Sequence, residues 1–416
     1  AVLHSCAAVN DYIHVRAHLG ISPGDCKLKE ESMKKILAIV LSLVMVMALV
    51  AGCGSSNSGS TTTTTTTTTT TEPTTTTEAT TETMGTANVD LSKYDGYYTE
   101  DSAKLTGLAG AEITLVVGDT TPLTGAYNQG LLVMKDLLEA YSNGTMTLDI
   151  HTDSQLGGER DMTESVGMGS LDMLATSTGP LGNFVSDMYS VDLPYLFQNS
   201  DEAFATLDGS IGRGLLDQFA AQGIYAVNFW QNGWRCTSNN KRELVHPEDI
   251  KGLKIRTMEN SIHMATYNAW GAYATPMAMG EVFTACQQGT IDGQENPLQI
   301  INSNKLQEVQ PYISENNVFY SPAVLMINKD LYDGFTDFQK ACFDKAATEA
   351  QTWERNYCIA CNDAERAMIE ADGAKVTQVD IAEWAASEGV ATVYAKAAEY
   401  GANADLIAEI QKSLGR

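Results

Sequence analysis

The sequence predicts an α/β protein of two domains, with mixed, largely parallel sheets and one long connecting helix. Three observations carry that expectation. Short β-prone runs alternate with helix-period segments through most of the chain, the pattern of layered α/β architectures. The stretch from Asp337 to Ala371 contains neither Gly nor Pro, which makes it longer than an ordinary globular helix. At 416 residues the chain exceeds one compact domain, and 44% hydrophobic against 19% charged residues leave ample material for a core.

Taken in order, Ile113 to Val117 is β-prone and ends at Gly118-Asp119-Thr120. Leu131, Met134, Leu138 and Tyr141 recur at spacings of three and four, an amphipathic helix stopped by Asn143-Gly144. Met146, Leu148 and Ile150 alternate as a strand, and Leu171 to Ala175, Ile224 to Trp230 and Lys254 to Arg256 continue the series. Beyond Pro322, Val324 to Asn328 is a strand, and the long helical stretch after it is suited to brace two domains. In open α/β sheets ligands bind beyond the carboxyl ends of strands, so the cleft between domains is the expected site.

The N-terminal quarter reads differently. Met33 is followed by Lys34-Lys35, an apolar run from Ile36 to Val50, and Ala51-Gly52-Cys53. That run is shorter than the roughly 20 residues a membrane-spanning helix needs, and its flanks are those of a secretory signal over residues 33–52. The ending resembles a bacterial lipobox, in which Cys53 would be the lipid attachment site. Residues 1–32 are then expected to be an upstream extension, with translation starting at Met33: Lys29-Glu30-Glu31 is encoded by AAR-GAR-GAR, a purine run resembling a ribosome-binding site. Residues 53–110, with a tract from Thr61 to Thr71, show no apolar period and are expected to be a disordered tether. Folding is expected to begin near Ala111.

Lys and Arg total 26 against 52 Asp and Glu, a net charge of -26. Residues 1–52 hold few of these charges, so the acidity belongs to the rest of the chain. Such a surface repels nucleic acid but leaves room for a small anion in one local basic pocket. His151, His246 and His263 are scattered, with no HExxH and no paired CxxC array, so no metal or other cofactor is expected.

The densest signal runs from Gln231 to Pro311. It contains Asn232-Gly233-Trp234-Arg235, then Lys251-Gly252-Leu253-Lys254-Ile255-Arg256, Thr275-Pro276-Met277-Ala278-Met279, and Asp292-Gly293-Gln294-Glu295-Asn296-Pro297. Upstream, Ser154-Gln155-Leu156-Gly157, Gly169-Ser170-Leu171-Asp172 and Leu193-Pro194-Tyr195 occur in matching order. From about Ala111 onward the chain resembles the DctP family, the solute receptors of tripartite ATP-independent periplasmic (TRAP) transporters.

The resemblance implies a periplasmic-binding-protein-like clamshell closing on an organic acid. Its first lobe would be residues 111–232 plus 322–361, and its second 233–321 plus 362–416. It also implies that Arg256 pairs with the ligand carboxylate, with Asn296 donating to the same group and Arg235 assisting. The physics agrees, because a guanidinium can hold a carboxylate bidentately. Many relatives place an aromatic where this chain has Met279, a more pliable wall. Others offer Asn where Glu259 stands, which would repel a second acidic group yet accept hydrogen bonds from hydroxyls. Glu259 also reads as a helix-N-terminal charge. Relatives that bind sialic acid use an acidic and a basic residue where this chain has Ser177, Thr178 and Pro180. A uronic or other sugar acid is therefore the expected ligand, TRAP permease subunits and the anchoring membrane the expected partners, and a monomer the expected state.

Two other classes compete. A tethered sensor feeding a signalling receptor would use the same site. A carbohydrate hydrolase would need a carboxylate pair, for which Asp292 and Glu295 are the candidates. No nucleophile elbow or phosphate loop appears. Five cysteines follow residue 111, an odd number, and Cys358-x-x-Cys361 falls within the long helix without the context of a redox motif.

Overall fold

The computed structural model describes residues 81–83, 106–108 and 111–416. The upstream extension, the signal segment, Cys53 and most of the expected tether lie outside them. Within 53–110, strands β1 (Thr81–Thr83) and β2 (Thr106–Leu108) pair antiparallel, where the sequence reading places only tether. Threonine is β-branched and suits extended backbone, and a three-residue ladder is too short to show a period.

From Ile113 the alternation holds: β3 (Ile113–Gly118), α1 (Ala126–Tyr141), β4 (Met146–His151), α2 (Glu159–Met168) and β5 (Met173–Ser177). β3 pairs in parallel with both β4 and β5. α1 buries Leu131, Met134, Leu138 and Tyr141, the face its spacing predicts. β5 begins two residues later than expected. Gly169 ends α2 at φ +74, and the amides of Ser170 and Leu171 still donate back to the Ser165 carbonyl.

The largest departure from expectation is the length of two strands. β6 spans Ile224–Asn239 and β10 spans Tyr312–Asn328, well beyond their apolar runs. β6 continues through Gln231, Asn232, Arg235, Thr237, Ser238 and Asn239, all buried. A hydrophobicity pattern stops at such residues, whereas the ladder does not. Their polar groups find partners inside: Asn316 Oδ1 accepts from Thr237 N at 3.0 Å, and Asn316 Nδ2 donates to Thr237 Oγ1 at 2.9 Å. The two strands pair antiparallel, with irregularities between Ser314 and Phe319, Ser321 and Pro322, and Leu325 and Met326.

With β7 (Lys254–Thr257), β8 (Tyr273–Pro276) and β9 (Gly293–Asn296) they form one sheet ordered β4-β3-β5-β10-β6-β9-β7-β8, and β11 (Lys375–Gln378) pairs with β10. The three antiparallel ladders of this sheet all involve β6 or β10; the other five are parallel. The sheet is therefore two parallel sets spliced by one long antiparallel pair. Helices α3 (Ser200–Leu207), α4 (Ser210–Asp217), α5 (Ser261–Ala269), α6 (Met279–Gln287), α7 (Leu298–Ser303) and α8 (Lys329–Asp333) cover it.

The brace is α9, Asp337–Ala371, the span the sequence predicts. It opens on a capping box: Gln339 N donates to Thr336 Oγ1 at 3.2 Å, and Thr336 N to Gln339 Oε1 at 2.9 Å. α9 packs on α1, β6 and α7. Arg355 forks onto Asp208 at 2.7 and 2.8 Å and reaches the Phe229 carbonyl at 2.6 Å. The chain closes with α10 (Ile381–Ala385), α11 (Glu388–Ala395) and α12 (Ala404–Ser413). Val393, Ile407 and Ile410 join the apolar cluster of Met188, Val191 and Leu193. No helix among the described residues is long and apolar enough to cross a membrane.

Gly130 lets α1 seat against the brace. A Cβ there would stand 2.6 Å from Trp230 Cζ3 and 2.9 Å from Glu354 Cγ. Gly130→Val should therefore lower stability by about 1–3 kcal/mol in urea unfolding, the usual cost of overpacking. Lys412→Ala on the exposed face of α12 should change it little; an unchanged midpoint in the Gly130 variant would refute the close seating.

Candidate functional site

Two buried arginines from different strands meet near the carboxyl ends of β7 and β9. Arg235 comes from the polar half of β6, which pairs with β9 through Cys236 and Asn296. The irregularity of the β6–β10 ladder just before it favours glycine: Gly233 has φ +121, and a Cβ there would lie 3.3 Å from Pro297 Cβ. Arg235 Nε donates to Glu295 Oε2, and Nη2 donates to Glu295 O at 2.7 Å and Asn296 Oδ1 at 2.9 Å. Both ions of the Arg235–Glu295 pair are fully buried. Burial alone would lower the Arg235 guanidinium, but Glu295 outweighs it and the net direction is up.

Arg256 is equally buried but lacks such a partner. Its Nε and Nη2 donate to the Met277 carbonyl at 2.9 and 2.6 Å. Burial pulls its guanidinium down to about 10, with Glu295 opposing and Arg235 adding to the shift, so it stays charged at neutral pH. Among the described residues, no carboxylate forms an ion pair with it. A buried charge in that condition is costly until an anion arrives.

The unmet hydrogen-bonding groups point the same way. Arg235 Nη1, Arg256 Nη1, Tyr127 Oη and Asn232 Oδ1 are buried without a partner among the described residues. All four residues line one cleft, which holds about 300 Å³ of space, part of it open to solvent. From the β3–β5 side come Thr120, Thr121, Glu159 and Ser177. Glu159 opens α2, and its Oε1 accepts from Ser177 N at 2.7 Å and Thr176 Oγ1 at 3.2 Å. Asp119 accepts from Thr121 Oγ1 at 2.7 Å beneath that loop, and burial pushes its carboxyl up to about 7. The cleft is thus polarised, with a free guanidinium from one half of the sheet facing a carboxylate from the other.

Of the residues singled out from sequence, Arg256, Arg235, Asn296 and Met279 come together as lining. Asn296 orients Arg235 through Oδ1 and donates from Nδ2 to Gln294 Oε1 at 2.6 Å and, more weakly, to Met279 Sδ at 3.8 Å. Glu259 is placed elsewhere. Its carboxylate lies 3.5 Å from Arg160 Nη1, while its neighbour Met258 lines the cleft. Asp292 and Glu295 do not share a space: Asp292 accepts from Lys254 N at 2.9 Å, and Glu295 belongs to Arg235. The cysteines Cys236, Cys286, Cys342, Cys358 and Cys361 are buried and free of disulfides.

Sequence reasoning missed Tyr127, Glu159, Asn232, Met258 and Ile300 as lining residues. Asn232 stood in the Asn-Gly-Trp-Arg segment and Glu159 directly after Gly157-Gly158, but neither segment reveals which side chain turns inward.

Residues 117–400 match the DctP model, described as bacterial extracellular solute-binding protein, family 7. A solute-binding protein of Verminephrobacter eiseniae is 38% identical over 247 residues, 59% of this chain and 74% of that protein. A TRAP periplasmic solute-binding protein from Polaromonas, solved bound to D-erythronate, is 39% identical with a TM-score of 0.68, covering 72% of this chain and 98% of that one. The sugar acid binding protein DctPAm from Advenella mimigardefordensis, in complex with galactonate, is 27% identical with a TM-score of 0.70 over 73% and 98%.

The buried pair sets an acid limit on stability. Burial would raise the Glu295 carboxyl, but Arg235 holds it from an ordinary 4.5 down to about 2. A depressed carboxyl stabilises the fold above its ordinary value and loses that contribution as pH falls from about 4.5 through about 2. Glu295→Gln should lose about 3–5 kcal/mol at pH 7 by leaving Arg235 unpaired, and should respond less to acid in that window. Urea unfolding at pH 7, 4.5 and 3 tests this; an equally steep acid loss in the variant would assign the effect to other groups.

Proposed function

Because the chain belongs to the DctP family of bacterial extracellular solute-binding proteins, we propose that it binds a hydroxylated monocarboxylate, a uronic or other sugar acid, and delivers it to a TRAP membrane permease. The observation that carries this reading is the buried, unpaired Arg256 guanidinium in a cleft whose opposite wall presents Glu159. A ligand carboxylate neutralises Arg256 and takes the free Nη1 donors of both arginines. Ligand hydroxyls donate to Glu159 and Asn232 Oδ1 and accept from Tyr127. A second carboxylate would meet Glu159 as a like charge, which disfavours dicarboxylates. Erythronate and galactonate, named with the solved relatives, are hydroxylated monocarboxylates.

In this reading the arginines act by position. Arg235 is held by Glu295 and Asn296, and Arg256 by the Met277 carbonyl, so neither has to reorganise when the ligand enters. Closure would bring residues 111–232 plus 322–361 toward 233–321 plus 362–416 as two lobes, with the irregularities of the β6–β10 ladder as flexible points and α9 as the brace. Attachment through a lipid on Cys53, a signal over 33–52, a tether over 53–110 and a monomeric receptor complete the proposal. Transport is preferred to a sensing role on family grounds, and no covalent step is assigned to the site.

A thermal-shift screen against sugar acids, dicarboxylates and neutral sugars tests the ligand class. A ligand at 100 times its Kd should add about 2.7 kcal/mol of stability. Response to neutral sugars alone would defeat the reading.

Calorimetry on variants tests the residues. Arg256→Ala should weaken sugar-acid binding by roughly 30- to 4,000-fold, because it leaves a desolvated carboxylate without its partner. Arg256→Lys should restore only part of this, since an ammonium lacks the planar fork. Asn296→Ala should lose about 1–3 kcal/mol. Wild-type affinity in a folded Arg256→Ala protein would move the carboxylate elsewhere.

A further inference from the structure

At the mouth of the cleft, residues from the two halves of the sheet touch. A Cβ on Gly158, just before α2, would lie 3.6 Å from the Ala278 Cβ before α6. A Cβ on Gly280 would lie 3.7 Å from the Ser154 Cβ. Both are ordinary van der Waals distances, so the backbones meet with no room to spare and no clash. Beside them Arg160 Nη1 stands 3.5 Å from Glu259 Oε2, and Asn183 Nδ2 donates to the Glu259 carbonyl at 2.9 Å. Arg160 is also held on its own helix, where Nε lies 3.4 Å from Glu164 Oε1.

We propose that Arg160 and Glu259 form a latch across the cleft mouth, so that Glu259 serves closure and retention of ligand instead of touching it. Arg160 is the positioning residue, kept in line by Glu164 when the lips part. The geometry favours this over a ligand contact for three reasons. Glu259 is directed at Arg160 while Met258 faces the cleft. The backbone of Glu259 is fastened to Asn183 of the opposite half. The carboxylate wall of the cleft is already supplied by Glu159. The latch side chains are 51% exposed for Arg160 and 39% for Glu259, with Glu259 Oε2 itself turned inward beside Arg160. A pair so exposed shifts an equilibrium only about two- to fivefold, and salt weakens it. A small, salt-sensitive bias on the closed state sets how long a ligand stays, while the buried arginines set which ligand enters.

The inference rests on this cleft being the ligand site, yet closure can be read without any ligand. Gly158→Cys with Ala278→Cys in the full chain places two Cβ atoms at a disulfide-compatible separation. The rate of oxidative cross-linking then reports how often the lips meet. Adding Arg160→Ala or Glu259→Gln should slow cross-linking about two- to fivefold at low ionic strength, with the difference vanishing near 0.5 M salt. Exchanging the charges, Arg160→Glu with Glu259→Arg, should recover most of the rate. With galactonate and galacturonate as probes, each single variant without the cysteines should raise the off-rate by the same factor for both and leave the on-rate unchanged. Unaltered cross-linking in Arg160→Ala at low salt would overturn the latch. So would a Glu259→Gln protein whose preference between the two probes changed, because that marks direct contact. If neither probe binds the wild type, the sugar-acid reading fails while the cross-linking arm still decides the latch.

Discussion

The Arg235–Glu295 ion pair is the constraint on which the site depends. It lies inside the sheet where β6 meets β9, with both ions fully buried. Two charges withdrawn from water are stable only with close geometry and further hydrogen bonds, which the Glu295 carbonyl and Asn296 Oδ1 supply. The consequence falls on Arg256. Glu295 Oε2 is engaged by Arg235 and its Oε1 lies 3.6 Å from His263 Nδ1, so the second guanidinium is held in place by a carbonyl and, among the described residues, forms no ion pair with a carboxylate. Arg256 therefore keeps an unmet Nη1 donor in the cleft, and in the function proposed above a ligand carboxylate takes it.

Much of this was legible in the sequence, for identifiable reasons. α9 was readable to its ends because Gly and Pro are absent from it. The convergence of Arg235, Arg256 and Asn296 came from the order of the motifs around them, since no periodicity connects residues sixty positions apart. The second halves of β6 and the first half of β10 were not legible. There buried polar residues such as Thr237, Ser238, Asn239, Ser314 and Asn316 interrupt the apolar ones, and partners across the ladder, as between Thr237 and Asn316, make their burial tolerable. Met258 lies among the lining residues and its neighbour Glu259 does not, a distinction that motif order cannot show because it locates a residue along the chain without fixing which way its side chain turns.

The walls divide the work between rigid and adaptable chemistry. Polar groups are pinned by the fold, as with Glu159 on the Ser177 amide and Arg256 on the Met277 carbonyl. Between them Met258, Met279 and Ile300 provide apolar surface. Methionine has three rotatable bonds and follows the shape of its neighbour, so the apolar part of the wall is adaptable where the polar part is fixed.

The position of β10 has a consequence for how the chain is made. It lies between β5 and β6 in the sheet, yet it arrives more than seventy residues after the end of β6. A ribosome that has released residues 113–239 has produced two strands whose shared neighbour does not yet exist. Both expose unpaired backbone to any passing strand in the meantime. The long separation also makes closure of the sheet a slow, non-local event. The full sheet therefore cannot close before β10 emerges, and a chaperone that keeps the chain extended until then works with the topology and not against it.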